Sequence, residues 1–509
     1  MSRLRNLALA VAGGLILFTA FPGVGLWFFA PVAIAALFVA ISEATGKGAL
    51  GLGWAFGLAF FLPHIEWLEF AVGWIPWLAL SLVSSLFIGL ACMFFAHANH
   101  AGFFDGKPWL APPVFALLWV GAELLRSAVP FGGFPWGRLA FGVVDAPVVN
   151  LAVWGGAPLV SFAVGISGGL LGLAVKAWSE RRWVSVLAAP LVTLVIFLVP
   201  LGIPLDQRPE QGTLEVGWVQ GNVPNDGLDS FQQARLVTTN HVEATRLLAA
   251  STDRPLDLTI WPENSVDFDP RVDEPTAADV TAAARTINTP IIIGTADYSV
   301  PKGRYNVSLV WLPSGVAAGE YRKQQPAAFA EYIPIRSFAR LFSPEVDRVT
   351  RDMIAGTEPA LIDVEIASLD RAVRVGTIIC FEVAYDWVAR EASAQNVEFL
   401  AVQTNNATFG VTAESTQQLA MTRLRAIETG KAALQVSTVG VSAVITPTGR
   451  VVESSELFTQ AYGHAQIPLR TSITPAVAYG HWITWGFAGL AAVLAVGSVV
   501  VRIRESYEW

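Results

Sequence analysis

The chain has 509 residues, too many for one ordinary domain. Of these 53% are hydrophobic and only 15% are charged, against roughly 25% in a soluble protein. A net charge of −8 and the lack of a basic stripe argue against a nucleic-acid partner. Of the two cysteines, Cys92 lies in an apolar membrane run and Cys380 in the soluble part, so no disulfide is expected.

A helix needs about 20 apolar residues to cross a bilayer. Runs of that kind fall near 6–22, 26–42, 49–66, 74–96, 109–126, 156–176, 183–203 and 481–501, which predicts about eight spans. Arg3 and Arg5 precede the first run, but no A-x-A cleavage site follows, so it reads as an uncleaved anchor. With the N-terminus in the cytoplasm, Lys47, Lys107, Lys176, Arg181, Arg182, Arg502 and Arg504 fall inside, and mainly Arg126 and Arg138 fall outside. Both termini are then cytoplasmic and residues 206–479 extracytoplasmic. Trp27, Trp67, Trp74, Trp77, Trp109, Trp482 and Trp485 mark span ends as interfacial anchors. The expected domains are 1–205 with seven spans, 206–479 outside the membrane, and 480–509 with the last span and a cytoplasmic tail.

Within 127–155 the stretch Pro130–Gly137 is aromatic and broken by Gly and Pro. It reads either as an interfacial loop packed on its neighbours or as a wall of a lipid entry site. Glu123 and Arg126, three apart on the fifth span, are placed to pair. Glu66 and Glu69 sit where headgroups make charge cheap, so a structural role is expected. His97 and His100 have H-x-x-H spacing without a third ligand, and no metal is expected.

From 206 onward, short β-rich runs alternate with amphipathic stretches, which argues for a layered α/β domain. Strands are predicted at 214–220, 256–261, 290–294, 305–312, 373–379, 399–404, 434–438 and 442–446. Helices are predicted at 228–250, 275–286, 383–395 and 414–430. Cys380 follows an apolar strand and precedes a helix, whose N-terminus would favour a thiolate. A thiolate can attack an acyl carbonyl and hold the acyl group as a thioester. Glu263 ends another apolar strand, and a carboxylate on apolar surface has a raised pKa suited to general-base work. Lys323 offers a fixed positive charge for a tetrahedral oxyanion. Taken singly, Glu263 could be a capping or surface carboxylate, Lys323 an exposed strand residue and Cys380 a buried small hydrophobe.

The order Trp261-Pro262-Glu263, then Tyr321-Arg322-Lys323 with Glu331 eight residues beyond, then Cys380-Phe381-Glu382 after an apolar strand, resembles the nitrilase (carbon–nitrogen hydrolase) superfamily. Seven spans before that domain and one after it are similar to its apolipoprotein N-acyltransferase branch. Val219–Asn222, Tyr305-Asn306, Thr404–Asn406, Arg423–Glu428, Gly440–Val444 and Gly133–Trp136 add to the resemblance.

The resemblance implies a nitrilase-like αββα sandwich in the extracytoplasmic part. It implies Glu263 as base, Lys323 as oxyanion stabiliser and Cys380 as nucleophile, with Glu331, Glu382, Phe381 and Asn306 beside them. Phe329, Tyr332, Phe338, Phe342 and Trp136 are candidates to contact lipid. The implied reaction moves an acyl chain from a phospholipid such as phosphatidylethanolamine onto Cys380. It then passes to the α-amino group of diacylglyceryl-cysteine in an apolipoprotein, without cofactor, by a monomer in the bacterial cytoplasmic membrane. The alternatives are a membrane-anchored amidase with water as acceptor and a catalytically inactive scaffold.

The chain departs from the family pattern at Ala328 and Ala330, where Pro and Gly are usual, at Thr408 and Phe381, where Trp and Tyr are usual, and near Asp229. The strand-poor segment 331–358, with Tyr332, Ile333, Phe338, Leu341 and Phe342 on its apolar side, is read as a lid over the acyl site.

Overall fold

The computed structural model describes residues 3–223, 235–341, 343, 346–347 and 349–507, with side chains to 501. Phe342, Asp229 and the predicted helical residues 228–234 lie outside the described residues. Two compact units divide the chain, 1–204 with 479–509 and 205–478.

The first unit is helical: α1 Arg3–Ala20, α2 Phe29–Ile41, α3 Gly46–His64, α4 Trp67–Val72, α5 Trp74–His100, α6 Ala111–Arg126, α7 Ala152–Ser179 and α8 Trp183–Leu198, with the helix Pro475–Tyr507 returning to it. Among the described residues, six helices are long and apolar enough to cross a membrane. The expected second and third spans are present as helices but fall outside that set. α2 has only 13 residues, and α3 carries five glycines and Lys47, which dilute its hydropathy.

Those glycines have a packing use, because membrane helices associate through small residues that let backbones approach. A Cβ on Gly53 would lie 2.7 Å from Cys92 Sγ, and one on Gly57 would lie 2.7 Å from Ser85 Cα, so α3 and α5 run in close contact. Cys92 is accordingly a buried packing residue.

The irregular segment after α6 is bonded into this unit. Arg126 donates to the carbonyls of Phe134 (2.6 Å) and Trp136 (2.5 Å). Glu123 accepts from Trp119 Nε1 (2.9 Å) and the Leu139 amide (2.8 Å) and faces Arg138 at 3.7 Å. Trp136 is 1% exposed and packs on Trp67.

The second unit holds two six-stranded sheets. The strands are β1 Thr213–Gln220, β2 Leu258–Ile260, β3 Ile291–Asp297, β4 Tyr305–Trp311, β5 Ala317–Arg322, β6 Leu361–Ile366, β7 Arg371–Ile379, β8 Phe399–Thr404, β9 Ala433–Ser437, β10 Ala443–Ile445, β11 Val451–Ser454 and β12 Ala461–Pro468. The orders are β12-β1-β2-β3-β4-β5 and β11-β10-β9-β8-β7-β6. Each sheet has three parallel strands at its centre, flanked by antiparallel ones.

Helices Leu236–Ser251 and Glu274–Ile287 cover the first sheet, their Ala244, Leu248, Val280, Ala284 and Ile287 joining Ile291, Ile293, Val307 and Leu309 in one core. Helices Asp386–Ala394 and Glu414–Thr429 pack on the second sheet. Between the sheets, Gln403 Nε2 donates to Trp261 O (2.6 Å) and Gln220 Oε1 accepts from Ser442 (2.6 Å). The unit is therefore an α/β sandwich of the nitrilase type, with helices outside two facing sheets. The four strands not predicted from sequence, β5, β6, β11 and β12, lie toward or at sheet edges.

Gly294 on β3 marks a close backbone approach at the site. A Cβ there would meet Pro262 O at 2.5 Å, Asn264 N at 2.6 Å and Glu263 Cα at 2.6 Å. All three are backbone atoms and cannot rotate away, so Gly294→Ala forces the loop after β2 outward at a cost of about 1–3 kcal/mol. The expected outcome is a lower thermal unfolding midpoint for the detergent-solubilised full chain; an unchanged midpoint would show that this loop yields freely.

Candidate active site

Three chain segments converge in the α/β unit. Glu263 leaves the end of β2, Lys323 follows β5, and Cys380 follows β7. Glu263 is buried and accepts from Asn306 Nδ2 at 2.6 Å and from the Cys380 thiol. Lys323 is 1% exposed; its Nζ lies 2.7 Å from Glu331 Oε1 and 3.8 Å from Glu263 Oε1. Its backbone is held as tightly, with its amide on Asn306 O (2.9 Å) and its carbonyl on the Gly356 amide (2.7 Å). Lys323 is thus no exposed strand residue but a buried cation between two carboxylates.

Cys380 is half-buried and its backbone is left-handed, with φ +54°. A non-glycine residue in that region costs about 1–3 kcal/mol and persists only where neighbours over-determine it. Glu382 is one such neighbour. Its Oε2 accepts the Ile379 amide (2.9 Å), and its Oε1 accepts Tyr321 OH (2.8 Å) and the amides of Gln324 (2.7 Å) and Gln325 (3.0 Å). One buried carboxylate therefore ties the turn at Cys380 to the segment that follows Lys323. Arg425 is another, donating to the carbonyls of Val383 (2.9 Å) and Ala384 (3.1 Å) while paired with Asp386 (2.7 Å) and Glu428.

Electrostatics differ from the sequence expectation in one respect. Cys380 opens a 3-10 turn, Cys380–Ala384, and the α-helix begins only at Asp386. Its thiol is pushed well up, by burial first and then by Glu263, with Lys323 pulling the other way. The resting group is a thiol, and the expected thiolate at a helix N-terminus is corrected. Burial also raises the Glu263 carboxyl against the pull of Lys323. That is what a base for a thiol proton requires. Burial works against the Lys323 charge, but Glu331 and Glu263 outweigh it and hold its pKa above the ordinary value.

Of the other residues expected at the site, Glu331 reaches Lys323 and also accepts the Ala327 amide (2.7 Å). Phe381 packs edge-on to Tyr385. Phe329, with φ +66°, and Phe338 are exposed at 40% and 57%, Tyr332 is half-buried, and Ile333 is buried. Trp136 belongs to the helical unit.

Sequence reasoning missed Glu414, Gln418 and the role of Asn406. Asn406 Nδ2 donates to Glu414 Oε2 (2.6 Å) and Gln418 Oε1 (2.9 Å), and Gln418 Nε2 lies 3.7 Å from Cys380 Sγ. No sequence signal marks them, because the burial of the polar start of helix Glu414–Thr429 is set by the fold.

Burial pushes the Glu414 carboxyl from 4.5 up to about 8, the Asn406 hydrogen bond offsetting part of the rise and Glu263 adding to it. Burial likewise lifts Glu382 to about 7. The folded chain keeps protons that the unfolded chain has released, on Glu414 between pH 4.5 and about 8 and on Glu382 between pH 4.5 and about 7. Their contribution to stability is complete below pH 4.5 and is lost as pH rises through 8. Glu414→Gln cannot ionise, so the fall in unfolding midpoint between pH 5 and 8 is expected to become shallower in that variant. An identical slope in both proteins would show that Glu414 is ionised throughout.

Comparison with known sequences agrees with this architecture. Residues 13–170 match the apolipoprotein N-acyltransferase N-terminal domain, and residues 217–474 match the carbon-nitrogen hydrolase family. An apolipoprotein N-acyltransferase of Mycolicibacterium smegmatis is 37% identical over 99% of this chain and 85% of its own length. Those of Azotobacter vinelandii (28% identical, 97% and 95% covered) and Vibrio parahaemolyticus (26%, 94% and 94%) are similar along nearly their whole length. With its membrane-spanning helices and its carbon-nitrogen hydrolase domain, the chain belongs to the apolipoprotein N-acyltransferase family.

Proposed function

We propose that this multi-pass membrane protein transfers an acyl chain from a membrane phospholipid, through a thioester on Cys380, to the α-amino group of diacylglyceryl-cysteine in an apolipoprotein. The observation that carries the reading is the meeting of Cys380, Glu263 and Lys323 in one buried cluster.

Glu263 takes the thiol proton as the sulfur attacks the ester carbonyl carbon. The oxyanion forms beside the Lys323 ammonium. Collapse breaks the ester C–O bond, and Glu263 returns the proton to the departing lysophospholipid alkoxide. The thioester then meets the amine. Its nitrogen attacks the same carbon, loses a proton to Glu263, and the sulfur leaves to be reprotonated. The lysophospholipid departs before the amine reacts, which is ping-pong order.

Glu331 holds Lys323 in place, Glu382 and Phe381 shape the turn at Cys380, and Asn306 fixes the Glu263 carboxyl. Phe329, Tyr332 and Phe338 would receive the acyl chain, with the segment 331–358 as a lid, whereas Trp136, buried on Trp67 in the helical unit, is assigned no lipid contact. The domain division 1–205, 206–479 and 480–509, with both termini cytoplasmic and the catalytic part extracytoplasmic, is supported by the Lys and Arg asymmetry of the short loops. A monomer with a phosphatidylethanolamine-like donor suffices for this chemistry.

Intact-mass analysis after incubation with phospholipid is expected to show a gain of one acyl chain on Cys380, absent in Cys380→Ala and discharged by a diacylglyceryl-cysteine peptide. Discharge by water at an equal rate would make the protein a hydrolase, and failure of both adduct and lipopeptide acylation would sink the reading. Removing an oxyanion stabiliser typically costs about 10²–10³ in rate, so Lys323→Met is expected to slow acylation of Cys380 by that factor. The raised Glu263 carboxyl adds a pH dependence. Acylation is lost on the acid side at a pH above 4.5, because the base must be ionised to act.

A further inference from the structure

We propose that Gln418 is a further catalytic residue whose side-chain amide steadies the anionic sulfur of Cys380, and that Asn406 and Glu414 are positioning residues that aim this amide. The inference rests on the reading of Cys380 as the nucleophile.

The chain of hydrogen bonds has one consistent direction. Backbone amides only donate, and the Gly440 amide donates to Ser437 Oγ at 2.8 Å. The Ser437 hydroxyl, whose own proton is left free by that bond, donates to Asn406 Oδ1 at 2.5 Å, where Thr404 Oγ1 also donates at 3.0 Å. With its oxygen engaged by two hydroxyls, Asn406 presents Nδ2 to Glu414 Oε2 and to Gln418 Oε1. Gln418 accepts through oxygen, so its NH₂ must face the other way, and there Cys380 Sγ lies at 3.7 Å. Gln418 and Glu414 are one turn apart on the helix Glu414–Thr429, and Asn406, Gln418 and Glu414 are all at most 3% exposed. The arrangement is buried and built.

A buried thiol beside a carboxylate resists ionisation, which leaves its anion short of donors. Lys323 is held by Glu331 and Glu263, so its charge is shared. The Gln418 N–H supplies a donor on a helix from the opposite sheet to Lys323, with no counter-charge of its own. It acts when the sulfur becomes anionic, as the proton moves to Glu263 and again when sulfur leaves the thioester. Glu414 serves by staying neutral: burial keeps its proton to about pH 8, so no second carboxylate opposes the thiolate. Hydrogen bonds to charged groups are worth roughly a tenfold effect or more on such an equilibrium.

The test follows alkylation of Cys380 by iodoacetamide against pH, read by peptide mass spectrometry on the full chain in detergent, where buried Cys92 is resolved as a separate peptide. Gln418→Leu keeps the volume and removes the donor. It is expected to slow alkylation at pH 7 about tenfold and to move the midpoint up by about one pH unit. Glu414→Leu should shift the midpoint in the same direction by less, and Glu414→Gln should recover most of that loss, which a purely structural role would not produce. An unchanged midpoint in folded Gln418→Leu overturns the proposal. If that variant does not fold, Gln418→Asn decides, since it withdraws the same amide by one methylene; here too an unchanged midpoint overturns it. A shifted midpoint in a chain whose Cys380 takes no acyl group from phospholipid would sink the nucleophile reading while leaving the amide's hold on the sulfur standing.

Discussion

The burial of one ammonium between two carboxylates governs the α/β unit. Lys323 is 1% exposed, with Glu331 at 2.7 Å and Glu263 at 3.8 Å. Removing an ion from water costs several kcal/mol even after relaxation, and the cost is met only when geometry and remaining hydrogen bonds are complete. That requirement explains much of the surrounding architecture. Asn306 satisfies Glu263, the Ala327 amide satisfies the second oxygen of Glu331, and the backbone of Lys323 is clamped from both sides. Three groups of alternating sign, desolvated together, form a field that is already oriented when a carbonyl oxygen acquires charge.

Cys380 enters that field through a backbone that a free chain would avoid. Its left-handed φ follows from the demands of its neighbours: Glu382 must reach the amides of Gln324 and Gln325, and Arg425 must reach the carbonyls of Val383 and Ala384. The Arg425, Glu428, Asp386 and Arg390 network is itself buried, with Arg390 Nε on Glu428 at 2.6 Å. It makes the helix after Cys380 and the helix Glu414–Thr429 act as one body. The same helix that anchors the turn from below through Arg425 also carries Gln418 to the sulfur, seven residues, or two turns, earlier.

Much of this was legible in the sequence because strand ends are legible. Apolar β-rich runs before Glu263 and Cys380 placed both residues correctly after strands, and in both sheets the parallel centre delivers them to the same end. What escaped had physical causes. β5 reads Ala-Ala-Gly-Glu-Tyr-Arg and is exposed along half its length, so no alternation marks it. β12 pairs only with β1, more than 240 residues away, and carries mixed polar residues on a half-exposed edge. The thiol departs from the expected thiolate because burial and the neighbouring Glu263, neither visible in the sequence, push it up, and because a 3-10 turn rather than an α-helix follows Cys380. The short α2 and glycine-rich α3 show the converse problem: in a helical bundle, residues chosen for close packing lower the hydropathy by which spans are recognised.

The turn between Lys323 and Glu331 shows why an altered motif can keep its geometry. Ala328 and Ala330 stand where the family usually has Pro and Gly, which would remove two backbone constraints if those residues alone shaped the turn. Here the Glu331 amide donates to Ala327 O at 2.8 Å, and Glu331 Oε2 accepts the Ala327 amide at 2.7 Å, so the loop is closed at both ends by the residue that holds Lys323. The left-handed conformation falls on Phe329 rather than on a glycine, fixed by its amide on Tyr332 O at 2.7 Å. In this chain the turn is constrained by hydrogen bonds anchored on the partly buried carboxylate of Glu331. A loop built in that way is held by the same carboxylate that pairs with Lys323, so its conformation is tied to the geometry of the site it borders.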